Sequence, residues 1–193
     1  MDIARLLSTV FQPVLTGVYV LVLMSLLDAA TWRGALGWGL LTSVLAAGLP
    51  AADLARRVRA RTVTDFELAL RQERLRPLVV ALLASGLTLV VVAVFDGPRS
   101  LVWALVAALV TGAVLTITTV WWKISFHAAA VAGGVLLLGW RLGAWSALLL
   151  PLVPAVGWSR VALGRHTVTQ AAAGALAGMT LTALVLAAAR HLS

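Results

Sequence analysis

Long apolar runs constrain this chain more than any other feature. Seven of them lie near 11–27, 34–52, 77–95, 100–121, 125–140, 144–158 and 168–189 of a 193-residue sequence. Lipid offers no water to backbone N–H and C=O groups, so runs of this kind must close their hydrogen bonds internally, as helices. Roughly 20 apolar residues at about 1.5 Å rise each cross a bilayer core. The expected fold is therefore an all-α, polytopic transmembrane helix bundle, a single domain over 1–193 with 1–52 as two leading spans. The fifth and sixth runs hold only about 15 residues each, so six to seven spans are expected, six if one pair is partly re-entrant. Asp96-Gly97-Pro98-Arg99 predicts a tight hairpin and Arg141-Leu142-Gly143 a shorter turn. The first apolar run is too long for a signal-peptide core and lacks a small-x-small cleavage site, which predicts an uncleaved span.

Composition agrees with residence in a membrane. The chain is 62% hydrophobic and 11% charged, against about 25% charged in soluble domains. It has no cysteine, which excludes disulfides, thiol catalysis and thiolate metal sites. The net charge of +8 comes from 15 Lys+Arg against 7 acidic residues. In a bilayer that excess sets topology and attracts anionic headgroups, so nucleic acid is not an expected partner. The stretch 53–76 reads as a basic amphipathic loop on the membrane surface. Arg56, Arg57, Arg59 and Arg61 read as topology signals, whereas Arg71, Arg74 and Arg76, beside a span, are candidates for function.

Two further clusters sit at the edges of apolar runs: Lys123-Ile124-Ser125-Phe126-His127, and Ser159-Arg160 followed by Arg165-His166-Thr167 and Gln170. Charge beside a span is costly, and such residues are by default functional candidates. Two apolar segments separate each cluster from the next, so all three basic clusters are expected on one membrane face. That face carries 11 of the 15 Lys+Arg and leans cytoplasmic; Arg33, Arg99, Arg141 and Arg190 fall opposite. The Lys123–His127 and Ser159–Gln170 clusters are basic, hold imidazoles and contain no carboxylate. Guanidinium groups fork onto phosphate oxygens and stay protonated when desolvated, and helix N-termini favour anions. Ser125 and Thr167 suit the caps of two such helices. Metal-assisted phosphate chemistry wants several carboxylates, so neither metal nor other cofactor is expected.

Phosphoester cleavage then needs a nucleophile and an acid, roles that neutral imidazole and imidazolium fill. His166 and Gln170 are four residues apart, on one helix face, where the amide carbonyl can accept a ring N–H. Lys123 and His127 share that separation if their helix reaches back far enough. Arg160, six residues before His166, is expected to reach in from a loop preceding the helix.

Ser159-Arg160-x5-His166-x3-Gln170 resembles the Ser-Arg-x5-His-x3-Asp signature of the type 2 phosphatidic acid phosphatase superfamily, with Gln170 at the aspartate position. Ser125 and His127 match the serine and histidine of its Pro-Ser-Gly-His signature. Arg76-Pro77 matches the end of its Lys-x6-Arg-Pro signature, with Arg71 and Arg74 nearby. The resemblance covers roughly 65–178 and makes 77–193 the phosphatase-like core spans. It implies His166 as the phosphate-attacking nucleophile, His127 as general acid, and Arg160, Ser125 and a first-signature arginine as phosphate ligands, with Lys123 and Arg165 supporting. The implied substrate is a membrane lipid phosphate: phosphatidate, phosphatidylglycerol phosphate, or a polyprenyl phosphate or diphosphate. A non-catalytic phospholipid-binding or transport-related protein that keeps the basic pocket is the alternative.

Other features have plainer readings. The small residues Ala128–Gly134 and Gly174–Gly178 suit close helix packing inside the bundle, with a homodimer seam as the alternative. Most of the eight tryptophans are interfacial anchors, although Trp121 and Trp122 adjoin Lys123 and are candidates to border a lipid entrance. Ser159 with His166 does not suit a serine protease, because Arg160 follows where a small residue is needed.

Overall fold

Prolines and small polar caps set where each helix begins. The structure, a computed structural model, describes residues 2–63 and 75–191. Helix α1 (Ile3–Val10) ends just before α2 (Pro13–Asp28), and their axes are bent by 55°. Pro13 lacks an N–H and cannot continue α1, but it suits the first turn of α2. Helix α3 (Trp32–Ser43) is capped by the Thr31 hydroxyl, which accepts from Gly34 N–H at 3.1 Å. It continues through a π turn (Val44–Gly48) into α4 (Leu49–Arg59), making one 28-residue helix. Pro50, lacking an N–H and crowding the preceding turn, accounts for the widened π geometry. Then α5 (Leu75–Val94) and α6 (Arg99–Trp121) pair as a hairpin over Asp96, which takes a positive φ of 49°. Last come α7 (Phe126–Leu142), a 3-10 turn (Gly143–Leu149), α8 (Leu152–Ala162) and α9 (Val168–His191).

The fold is an all-α helix bundle of an integral membrane protein. Among the described residues five helices are long and apolar enough to cross a membrane, or six where the bent α1–α2 pair is counted as one span. The expected run over 144–158 is not an unbroken span: it divides into the 3-10 turn and the 11-residue α8, with Pro151 between them. The stretch 53–76 begins differently from expectation too. Its first residues extend the α3–α4 helix, where Asp53 pairs with Arg56 at 2.7 Å and Arg57 at 2.5 Å. Such i,i+3 and i,i+4 pairs favour continuation of the helix. Arg71 and Arg74 lie outside the described residues.

Helix α7 is the hub, packed against α9, α2 and α8. Its face of small residues lets α9 come unusually close. A Cβ on Gly174 would collide with the Ser125 carbonyl oxygen, one on Gly178 with that of Ala129, and one on Gly133 would lie 2.8 Å from Thr182 Oγ1. The partners advance together (125 with 174, 129 with 178, 133 with 182), so α7 and α9 run parallel. The connection over 143–167 must therefore return the chain along the bundle, and Val156 of α8 packs on Val131 and Val135 as it does so. Both α7 and α9 begin at the same end, with the close of α8 beside them. The small-residue stripe is occupied within the chain.

A clamp closes the opposite end. Asp28 at the end of α2 pairs with Arg141 of α7 at 2.6 Å and accepts from Ser100 N–H in the first turn of α6 at 3.1 Å. The Ser100 hydroxyl donates to the Met24 carbonyl at 3.3 Å, tying the same elements a second time.

Candidate functional site

Arg160 lies in the last turn of α8, not in a loop as its spacing suggested. The helix ends at Leu163, and Gly164 turns the chain with a φ of 65°, a conformation that costs glycine nothing. That turn folds Arg165 and His166 back so that both N–H groups donate to the Arg160 carbonyl, at 3.0 and 3.2 Å. Six residues of sequence separation thereby become direct backbone contact between Arg160 and His166.

His166 is held by the start of α9. Thr167 N–H donates to Gln170 Oε1 at 3.2 Å, and Gln170 N–H donates to Thr167 Oγ1 at 3.3 Å. This reciprocal pair is a capping box, Thr-x-x-Gln. The same Oε1 lies 3.2 Å from His166 Nδ1. Because Oε1 already accepts from a backbone N–H, it is the carbonyl oxygen of the amide, so His166 Nδ1 is the donor. The lone pair of the ring then sits on Nε2. The i,i+4 spacing anticipated the His166–Gln170 bond; the capping role of Gln170 was missed, although Thr-x-x-Gln before an apolar run was its visible signal.

Ser125 does the corresponding work for α7. Its hydroxyl accepts from Ala128 N–H at 3.4 Å as N-cap, and its backbone N–H donates to the Gln170 carbonyl at 3.3 Å. The second bond joins the two clusters directly, α7 start to α9 start. Helix α7 begins at Phe126, so Lys123 is in the extended stretch between α6 and α7 and does not share a helix face with His127. Both helix N-termini point their positive dipole ends at this end of the bundle.

These groups are buried. Ser125 is 0%, Arg160 2%, and His127 and His166 each 8% exposed. Lys123 and Arg165 are half-buried, while Trp121 and Trp122 are exposed beside them. Ser159 is buried and donates to the Val156 carbonyl at 2.8 Å, a bond within α8. Arg76 is exposed at the start of α5, which packs on α6, α4 and the π turn; it is one hairpin away from the α7–α9 crossing. A residue that the sequence did not single out joins instead: the Ser8 hydroxyl of α1 accepts a buried hydrogen bond from Arg160 Nη1.

Among the described residues no group of three His, Asp or Glu side chains is arranged to hold a metal ion. An apolar groove of about 430 Å³ lies between α7, α8 and α9, lined by Val135, Leu150, Val153, Ala183 and Leu186. Its lining extends to Trp140 and Arg190 at the far end of the bundle and includes neither His127 nor His166. No family model, no curated protein and no solved structure matches this chain.

Proposed function

We propose that this protein is an integral-membrane lipid phosphatase working through a phospho-histidine. The observation that supports the reading best is the meeting of two separate basic clusters at one end of the bundle, with His166 Nδ1 bonded to Gln170. That bond leaves His166 Nε2 with the lone pair needed to attack phosphorus. Arg160, with the Ser125 and Lys123 donors and two helix N-termini, suits the three phosphate oxygens.

In the reaction a P–Nε2 bond forms at His166 as the P–O bond to the lipid breaks. His127, protonated, gives its proton to the departing alkoxide. Neutral His127 then takes a proton from water as the water oxygen attacks phosphorus, and inorganic phosphate leaves with the P–N bond electrons returning to His166. The substrate is a phosphate monoester or diphosphate of a membrane lipid, taken at headgroup level. The basic end of the bundle is cytoplasmic, following the bias of Lys and Arg.

The test is phosphate release from vesicles carrying phosphatidate, phosphatidylglycerol phosphate or a polyprenyl diphosphate, in EDTA, for the natural chain beside His166→Ala. Release that survives EDTA and vanishes in the variant is expected. Binding of these lipids with no release from any of them would instead favour a non-catalytic phospholipid-binding protein.

A further inference from the structure

Arg160, Ser125, His127 and His166 are buried while Lys123 is only half-buried at the edge, so a lipid headgroup reaches the guanidinium and imidazoles only if an element moves. Helix α1 is the element placed to do so. It packs on α8 at the site end; its most buried side chains are Ala4 and Ser8, each 2% exposed, with Leu7 and Val10 half-buried beside them. Its outward face carries Ile3, 67% exposed, and Leu6, 42% exposed, as expected for a helix lying at the lipid boundary. The two most buried positions of α1 carry short side chains, and Phe11, which packs against Val131, Val135 and Val156, anchors the chain at the break rather than along the helix. Among its contacts there is a charge-assisted hydrogen bond from Arg160 Nη1 to Ser8 Oγ. Its connection to the bundle is a break at Phe11–Gln12 before Pro13, where the axes bend by 55°. A proline at that point prevents α1 and α2 from fusing into one stiff helix.

We infer that α1 is the door of the site, and that Ser8 is its latch. Ser8 holds the guanidinium of Arg160 while no substrate is present, and the phosphate of an incoming lipid takes those donors and releases α1 about the Gln12–Pro13 break. The exchange is favourable because a dianionic phosphate is a stronger acceptor for guanidinium than a neutral hydroxyl. The inference rests on the reading that Arg160 receives a lipid phosphate.

The absence of cysteine makes the door measurable with a single introduced thiol. Ala4→Cys places it on the sealed face of α1, clear of Arg160; Ser8→Cys is a second reporter, and Thr9→Cys is the exposed reference. The rate of labelling by a methanethiosulfonate reagent reports how often α1 lifts. Ala4→Cys should label far more slowly than Thr9→Cys. Adding Ser8→Ala should speed it by about tenfold, the scale of one hydrogen bond to a charged group. Phosphatidate in phosphatidylcholine vesicles should also speed it, measured with His166→Ala so that the lipid is not consumed, and Arg160→Ala should abolish that response. Labelling of Ala4→Cys as fast as Thr9→Cys, or labelling indifferent to Ser8→Ala or to phosphatidate, overturns the door. Phosphate release measured with His166 intact separates the two claims. Release without a labelling response removes the door alone, and a labelling response without release removes the phosphatase alone.

Discussion

At the scale of single residues, Gln170 carries the most weight because one oxygen serves two donors. Gln170→Ala removes the return bond to Thr167 N–H and the partner of His166 together. Loss of a cap costs about 1 kcal/mol, so a lower melting temperature in detergent and slower phosphate release are both expected. Gln170→Glu keeps an acceptor in reach of both donors, and it should retain the melting temperature while raising the rate, since a carboxylate stabilises the imidazolium better than an amide does. Stability lost equally in both variants would show that the cap is not what Gln170 supplies. For His127 the diagnostic is the leaving group. His127→Ala should slow release from a lipid alkyl phosphate by about 10²–10⁴-fold, yet slow an aryl phosphate much less, because a phenolate leaves without a proton. An equal loss on both substrates would remove His127 as the acid.

At the scale of elements, the site depends on how closely α9 lies against α7. Gly178 faces the Ala129 carbonyl with no room for a methyl group, and backbone is what must yield. Gly178→Ala should therefore cost about 1–3 kcal/mol or more, and the residual folded protein should be slow, since the Ser125–Gln170 link that joins the clusters is on the same seam. Asp28 offers the contrast. Asp28→Ala breaks the 2.6 Å pair with Arg141 and the bond from Ser100 N–H, at the far end of the bundle. The expected loss is about 1–3 kcal/mol of stability with turnover per folded molecule unchanged. Thermal unfolding and active-fraction titration of the two variants distinguish a seam that shapes the site from a clamp that only holds the bundle.

At the scale of the whole molecule, one end of the bundle gathers α1, the basic end of α4, Lys123 and Arg160, and the other gathers Asp28, Arg99, Arg141 and Arg190. The 28-residue α3–α4 helix is about 42 Å long, longer than the ~30 Å hydrocarbon core. Its last turns, with Arg56, Arg57 and Arg59, therefore stand at headgroup level, where basic residues attract anionic lipid. A membrane-impermeant thiol reagent should reach Phe95→Cys from outside intact cells and Ala60→Cys only in inverted vesicles. The reverse pattern would turn the site outward and with it the source of the substrate.

The sequence by itself determined that this chain is an all-α membrane bundle, because a backbone in lipid has so few ways to bond itself that apolar run length alone is decisive. It also marked Ser125, Arg160, His166 and Gln170, since charge beside a span is rarely tolerated without a partner and the four-residue spacing of His166 and Gln170 is a local helical fact. But it set Arg76 with them, although a hairpin separates that residue from the α7–α9 crossing. What the tertiary structure alone decided was long-range. The Arg160–His166 contact depends on the left-handed turn at Gly164, the Ser125–Gln170 link on parallel packing of α7 and α9, and the Arg160–Ser8 bond on a separation of 152 residues. The run at 144–158 looked like a span because hydropathy registers composition, whereas the 3-10 turn and short α8 follow from where prolines interrupt the hydrogen-bond ladder. Ser8 was invisible for the same reason: nothing within one turn of α1 reveals which helix its small face will meet.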